Sequence, residues 1–79
     1  MPTVTVLTRQ GCGSCVRVAA QAEPIAVECG AEFVLTDVDS DPSLATEFGD
    51  RVPVVLVDDE EIACWELDDD ELYEALEQC

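Results

Sequence analysis

Thr3-Val4-Thr5-Val6-Leu7-Thr8-Arg9-Gln10-Gly11-Cys12-Gly13-Ser14-Cys15 decides how the rest of the chain is read. Its first six residues are rich in β-branched side chains and lie between Pro2 and the Gly11/Gly13 region, so they predict a strand. From Ser14 onward Cys15, Val16, Val18, Ala19, Ala20, Ala22, Ala26 and Val27 predict a helix dense in small residues. Gly30 stands where a C-terminal cap belongs. Pro24 falls inside that helix, where it lacks an amide donor and clashes with the carbonyl four residues back. A kink or a re-start is therefore expected around Gln21 to Glu23.

The two cysteines sit where this strand turns into this helix. Thiols three positions apart at a helix start can close a disulfide with little backbone change, and only the first is expected to face solvent. Unpaired amides and the positive end of the helix dipole favour the ionised form of that first sulfur. Cys12 is the candidate nucleophile, and Cys15, one turn in, is the candidate resolving thiol. Half of a zinc knuckle has the same spacing, but it needs a second pair. Cys29, Cys64 and Cys79 stand alone, and the chain has no histidine to join them, so no metal site is expected. Each of these three reads as a small buried hydrophobe, with a Cys64–Cys79 bridge or a regulatory tail thiol as the alternatives.

Downstream, Glu32-Phe33-Val34-Leu35-Thr36-Asp37-Val38 predicts a second strand. Ser40-Asp41-Pro42 then caps a short helix carrying Leu44, Ala45 and Phe48 and stopping at Gly49. Val54-Val55-Leu56-Val57 predicts a third strand, turning through Asp58-Asp59 into a fourth at Glu61-Ile62-Ala63-Cys64-Trp65. Trp65 reads as packing and hairpin cover, with a ligand platform as the alternative. Asp68 as N-cap with Glu71 three residues on, and Leu67 with Leu72 as a staple, open a last helix. Its apolar face is Leu72, Ala75, Leu76 and Cys79. The order is β-α-β-α-β-β-α: an α/β fold with a four-stranded mixed sheet flanked by three helices, expected as one domain over residues 1–79.

Composition narrows the chemistry. Three arginines, no lysine and no histidine against nineteen acids give a net charge of −16, so a phosphate backbone is no partner and nucleic acid is excluded. Zinc hydrolysis and serine–histidine triads lose their imidazole. The longest apolar run, Val52 to Val57, is far short of a membrane span, and no secretory leader is legible, so the expected site is the cytoplasm. The acids are placed unevenly. Residues 1–22 hold Arg9, Arg17 and no acid at all. Arg9, Arg17 and Arg51 are expected to form a positive collar around Cys12, whereas the acids read as a solvated face, a salt adaptation or a docking surface for a basic partner.

Two motifs together resemble the small glutaredoxin-like proteins of the thioredoxin-fold superfamily, over essentially the whole chain. The first is Thr8-Arg9-Gln10-Gly11-Cys12-Gly13-Ser14-Cys15, a strand end with a basic residue three before the C-x-x-C. The second is Arg51-Val52-Pro53, with Arg where glutaredoxins usually carry Thr. The resemblance implies a cis proline packed beside the dithiol and a Val52 backbone that pairs with an extended substrate. Arg9, Arg51, Val52 and Pro53 are thus the expected substrate-binding residues. Where glutaredoxins show Gly-Gly before the last helix, this chain has Ala63-Cys64-Trp65-Glu66-Leu67, and its charge repels the glutathione anion at long range.

The expected function is thiol–disulfide oxidoreduction by a monomer, acting on disulfide-containing proteins or small molecules. A reductase or a low-molecular-weight thiol would be the electron donor. The redox-active disulfide itself serves in place of a cofactor, with glutathione left as a possible co-reactant. Two other classes stay open at this point: an iron–sulfur carrier in which two chains share a cluster through Cys12, and a non-catalytic acidic binding module.

Overall fold

The computed structural model describes residues 1–77, so the expectations placed on Cys79 lie outside the described residues. The elements are β1 (Thr3–Thr8), α1 (Gly13–Glu28), β2 (Glu32–Asp37), α2 (Pro42–Phe48), β3 (Val54–Val57), β4 (Glu60–Cys64) and α3 (Asp69–Glu77). One 3₁₀ turn, Val38–Ser40, separates β2 from α2. The strands lie in the order β2-β1-β3-β4, with β1 parallel to β2 and antiparallel to β3, and β3 antiparallel to β4.

Alternation along β1 sorts the core into two layers. Val4 and Val6 enter one cluster with Val18, Ala22 and Ile25 of α1 and with Leu72 and Leu76 of α3. Leu7 points the other way, into a cluster with Val38, Val54 and Leu56, covered by Leu44 and Phe48 of α2. All four residues of β3 are buried, as a strand with helices over both faces requires. The α2 side is the thinner one, for no residue of α2 is fully buried.

The course of α1 and the end of β2 differ from expectation, whereas the Asp58–Asp59 turn and the start of α3 follow it, each for a physical reason. α1 is one continuous helix through Pro24 and is not re-started. The proline denies a donor to the carbonyl of Ala20 alone, and Ala20 is exposed to water. The packed face of Cys15, Val18, Ala22, Ile25 and Ala26 carries the helix past it. β2 stops at Asp37 because that carboxylate accepts the Asp39 amide at 2.8 Å and starts the 3₁₀ turn, which buries Val38. Asp58 and Asp59 both take positive φ, 50° and 71°, the requirement of a two-residue hairpin turn. Asp68 caps α3 by accepting from the Asp70 amide at 2.9 Å, and Leu67 and Leu72 are buried together as the staple requires.

Two side chains overturn their expectation outright. Cys29 is exposed, because it is the C-cap of α1 and lies beyond that helix's packed face. Trp65 leaves β4 with φ of 69° and is 59% exposed, so it does not cover the hairpin. Cys64 is partly buried against the Leu7 and Val54 cluster. Among the described residues no helix is long and apolar enough to cross a membrane.

Candidate active site

Four residues after β1 ends, Cys12 is the N-cap of α1, in extended conformation. The turn between them is closed by the Cys12 amide donating to the Arg9 carbonyl at 3.3 Å. Gly11 takes φ of 79° within it, a conformation that favours glycine. The Cys12 sulfur then does what a serine or aspartate oxygen does at other caps: it accepts the Cys15 amide, at 3.2 Å. Such a bond strengthens when its acceptor is charged. Cys15 is only 2% exposed. Burial first, and the contact with Cys12 second, push its thiol up from 9.0 to about 11. One sulfur is thus half-exposed and amide-bonded, and its neighbour is a buried thiol that keeps its proton.

A concavity of about 360 Å³ opens beside the pair, walled by Arg9, Gln10, Gly11, Val16, Ala19 and Leu35. Val16 and Leu35 are exposed. Neither was among the expected site residues. Val16 carried a signal, because it falls out of phase with the packed positions Cys15, Val18 and Ala22; Leu35 carried none, lying in a strand whose neighbours were unknown.

The arginines do not form a free positive collar. Arg9 shares the wall of the concavity, but its Nε and one terminal nitrogen donate to both oxygens of Asp39, at 3.1 and 3.0 Å. Its other terminal nitrogen donates to the Gly49 carbonyl at 3.0 Å. The hydrogen bond to Asp39, then that carboxylate's charge, hold the guanidinium pKa above its ordinary value. Arg51 donates to the Glu47 carbonyl at 3.1 Å, lies 3.4 Å from a Glu61 oxygen and stacks 5.2 Å from the Phe48 ring centroid. Arg17 lies in a different concavity, with Gln21, Glu66 and Leu67. With nineteen acids present, carboxylates among the described residues take up Arg9 and Arg51 before any ligand arrives.

The peptide bond between Val52 and Pro53 is cis, and Pro53 is fully buried. Leu7 pairs with Val54, so β3 begins at the sheet end where β1 runs out toward Cys12. That register brings Val52 and Pro53 to the dithiol end of the sheet. Pro53 uses its carbonyl to accept the Trp65 amide at 2.8 Å. Among the described residues the Val52 amide and carbonyl have no hydrogen-bond partner within the protein.

Known proteins share both the sequence and the shape. An uncharacterized protein of Mycobacterium tuberculosis is 46% identical over 76 residues, covering 90% of this chain and 78% of its own. A Nitrosomonas europaea protein of known solution structure superposes with a TM-score of 0.76 at 26% identity, over 90% of this chain and 86% of that one. Thioredoxin 1 of Thermosipho africanus superposes at 0.68 with 20% identity, over 96% and 91%, a likeness of fold. The sequence model of the glutaredoxin-like domain (DUF836) matches residues 3–77. With the dithiol at the head of α1 and the cis proline at the head of β3, the chain belongs to that glutaredoxin-like family and has the fold of the thioredoxins.

Proposed function

We propose that the chain is a dithiol oxidoreductase that reduces disulfides in other proteins. The asymmetry of the two sulfurs supports this most directly: Cys12 is reachable and accepts an amide, while Cys15 is buried and holds its proton up to about 11. In the first step the Cys12 thiolate attacks one sulfur of a substrate disulfide. That bond breaks, one substrate thiolate leaves and takes a proton, and a mixed disulfide forms on Cys12. In the second step Cys15 gives up its proton and attacks the Cys12 sulfur. The second substrate thiol departs, and the Cys12–Cys15 bond closes.

Two electrons have then passed to the substrate, and a thiol reductant, either a reductase dithiol or a small thiol, returns them. The unpaired Val52 amide and carbonyl are suited to hold an extended substrate strand across the site by backbone hydrogen bonds. Arg9 acts through the loop it anchors, and Arg51 shapes the approach to Pro53. The dithiol is itself the redox group, so the reading needs no bound cofactor, and it requires a reducing compartment such as the cytoplasm.

Reduction of insulin disulfides with dithiothreitol as donor tests the reading. The wild-type protein should accelerate it, the Cys12→Ser protein should leave the background rate, and the Cys15→Ser protein should stall after the first exchange. Equal rates for wild type and Cys12→Ser would remove the reading.

A further inference from the structure

Among the described residues Trp65 is the aromatic side chain that the fold leaves outside. Its backbone is held on both sides. The Trp65 amide donates to the Pro53 carbonyl at 2.8 Å, and the Glu66 amide donates to the Cys64 carbonyl, two residues back, at 2.8 Å. With φ of 69° between them, Trp65 is the central residue of a γ-turn in its positive-φ form, the rare and strained one. A bulky residue in that region of φ is uncommon, and such strain collects at functional sites. A glycine would adopt the turn freely. This chain instead pins an exposed indole to the carbonyl of the cis proline.

The sheet places that indole. Cys64 pairs with Val54, and Val54 pairs with Leu7, so Trp65 follows β4 at the same sheet end at which β1 leads to Cys12 and Pro53 opens β3. Two strand spacings, roughly 10 Å, separate β4 from β1. An extended chain advances roughly 3.3 Å per residue, so a substrate lying across Val52 with its sulfur at Cys12 would reach Trp65 two or three residues away. Charge selects what reaches it. Glu66, next to the indole in the chain, is exposed, and the protein carries −16. An exposed indole next to an exposed acidic residue in the chain suits a cation, and tryptophan is the best aromatic for that contact.

We propose that Trp65, with Glu66, seats an arginine or lysine side chain of a polypeptide substrate, two or three residues from the disulfide sulfur. This rests on the oxidoreductase reading and gives it a substrate class: protein disulfides with a basic flank. The acidic body supplies attraction that fades over ~8 Å at physiological salt. Trp65 supplies a contact that outlasts the screening.

Three peptide disulfides test it, with arginine, leucine or glutamate three residues from the cysteine, assayed in roughly 1 M salt, where exposed charges are screened beyond ~3 Å. Wild type should favour the arginine peptide over the leucine peptide about three-fold, expressed in KM. Trp65→Gly should bring that ratio to one, and Trp65→Tyr should keep most of it. An unchanged ratio in Trp65→Gly, or a loss confined to the leucine peptide, overturns the assignment. The chain has a single tryptophan. Its fluorescence in the Cys12→Ser protein should therefore respond saturably to a linear arginine peptide and not to the glutamate peptide. That readout needs no redox turnover, so it separates a failure of the chemistry from a failure of Trp65, and no response to the arginine peptide counts against Trp65.

Discussion

Cys12 and Cys15 have identical side chains and opposite settings, and the difference has a consequence for stability as well as chemistry. Burial keeps Cys15 protonated up to about 11 in the folded chain, against 9.0 ordinarily. Between those values the folded form binds more protons than the unfolded one, so stability is intact below pH 9 and is lost as pH rises toward 11. Thermal melts across that range should fall more steeply for wild type than for Cys15→Ala, which lacks this buried thiol. Gly49 makes a second residue-scale prediction. A Cβ there would collide with the Ala45 carbonyl oxygen and lie 2.8 Å from the Arg9 guanidinium. Gly49→Ala should therefore lower stability by ~1–3 kcal/mol in denaturant melts. It should also displace Arg9, slowing reaction at Cys12 with a small alkylating agent. The dithiol was legible in the sequence because its two members are three positions apart. Arg9's true partners were not, since Asp39 and Gly49 lie thirty and forty residues downstream and nothing local announces them.

At the scale of elements, two side-chain links hold α1 to the last helix. Gln21 donates to the Leu67 carbonyl at 2.7 Å and to Asp69 at 2.6 Å, just where α3 begins. Tyr73 of α3 donates its hydroxyl to the Glu28 carboxylate at 2.6 Å, at the far end of α1. That bond, then loss of hydration, pushes the phenol up from 10.0 to about 12. Tyr73 is the chain's one tyrosine, so its ionisation can be followed by ultraviolet absorbance. The midpoint should lie well above 10 in wild type and return toward 10 in Glu28→Gln; an unmoved midpoint would show that the link does not form. Element order and kind were readable from β-branched runs, helical periodicity and capping residues. The course of α1 through Pro24 was not, because tertiary packing of its buried face outweighs one lost hydrogen bond. Neither was the turn at Trp65. Ala63-Cys64-Trp65-Glu66-Leu67 has no clean alternation, and nothing in it signals a positive φ.

The whole molecule carries its electrostatics on the outside of a well-formed apolar interior. Among the described residues none that is charged or polar is buried, and the acids sit on the surface, where like charges repel across a body of small radius. Added sodium chloride should therefore raise the melting temperature steadily through the first few tenths molar, as screening relieves that repulsion. A salt-independent melt would mean that the acids are neutralised in some other way. The α/β class, with a mixed sheet flanked by helices, followed from element order. What the sequence could not disclose was how three cations distribute among nineteen acids, which only proximity in the folded chain decides. All of this framework serves to present one sulfur and keep its neighbour in reserve. The most direct measurement is mass spectrometry of the Cys15→Ser protein after reaction with a single disulfide-containing peptide. One peptide thiol attached through Cys12, and no such adduct in Cys12→Ser, is the expected result. Attachment at Cys29 or Cys64 in its place, or no stable adduct at all, would contradict it.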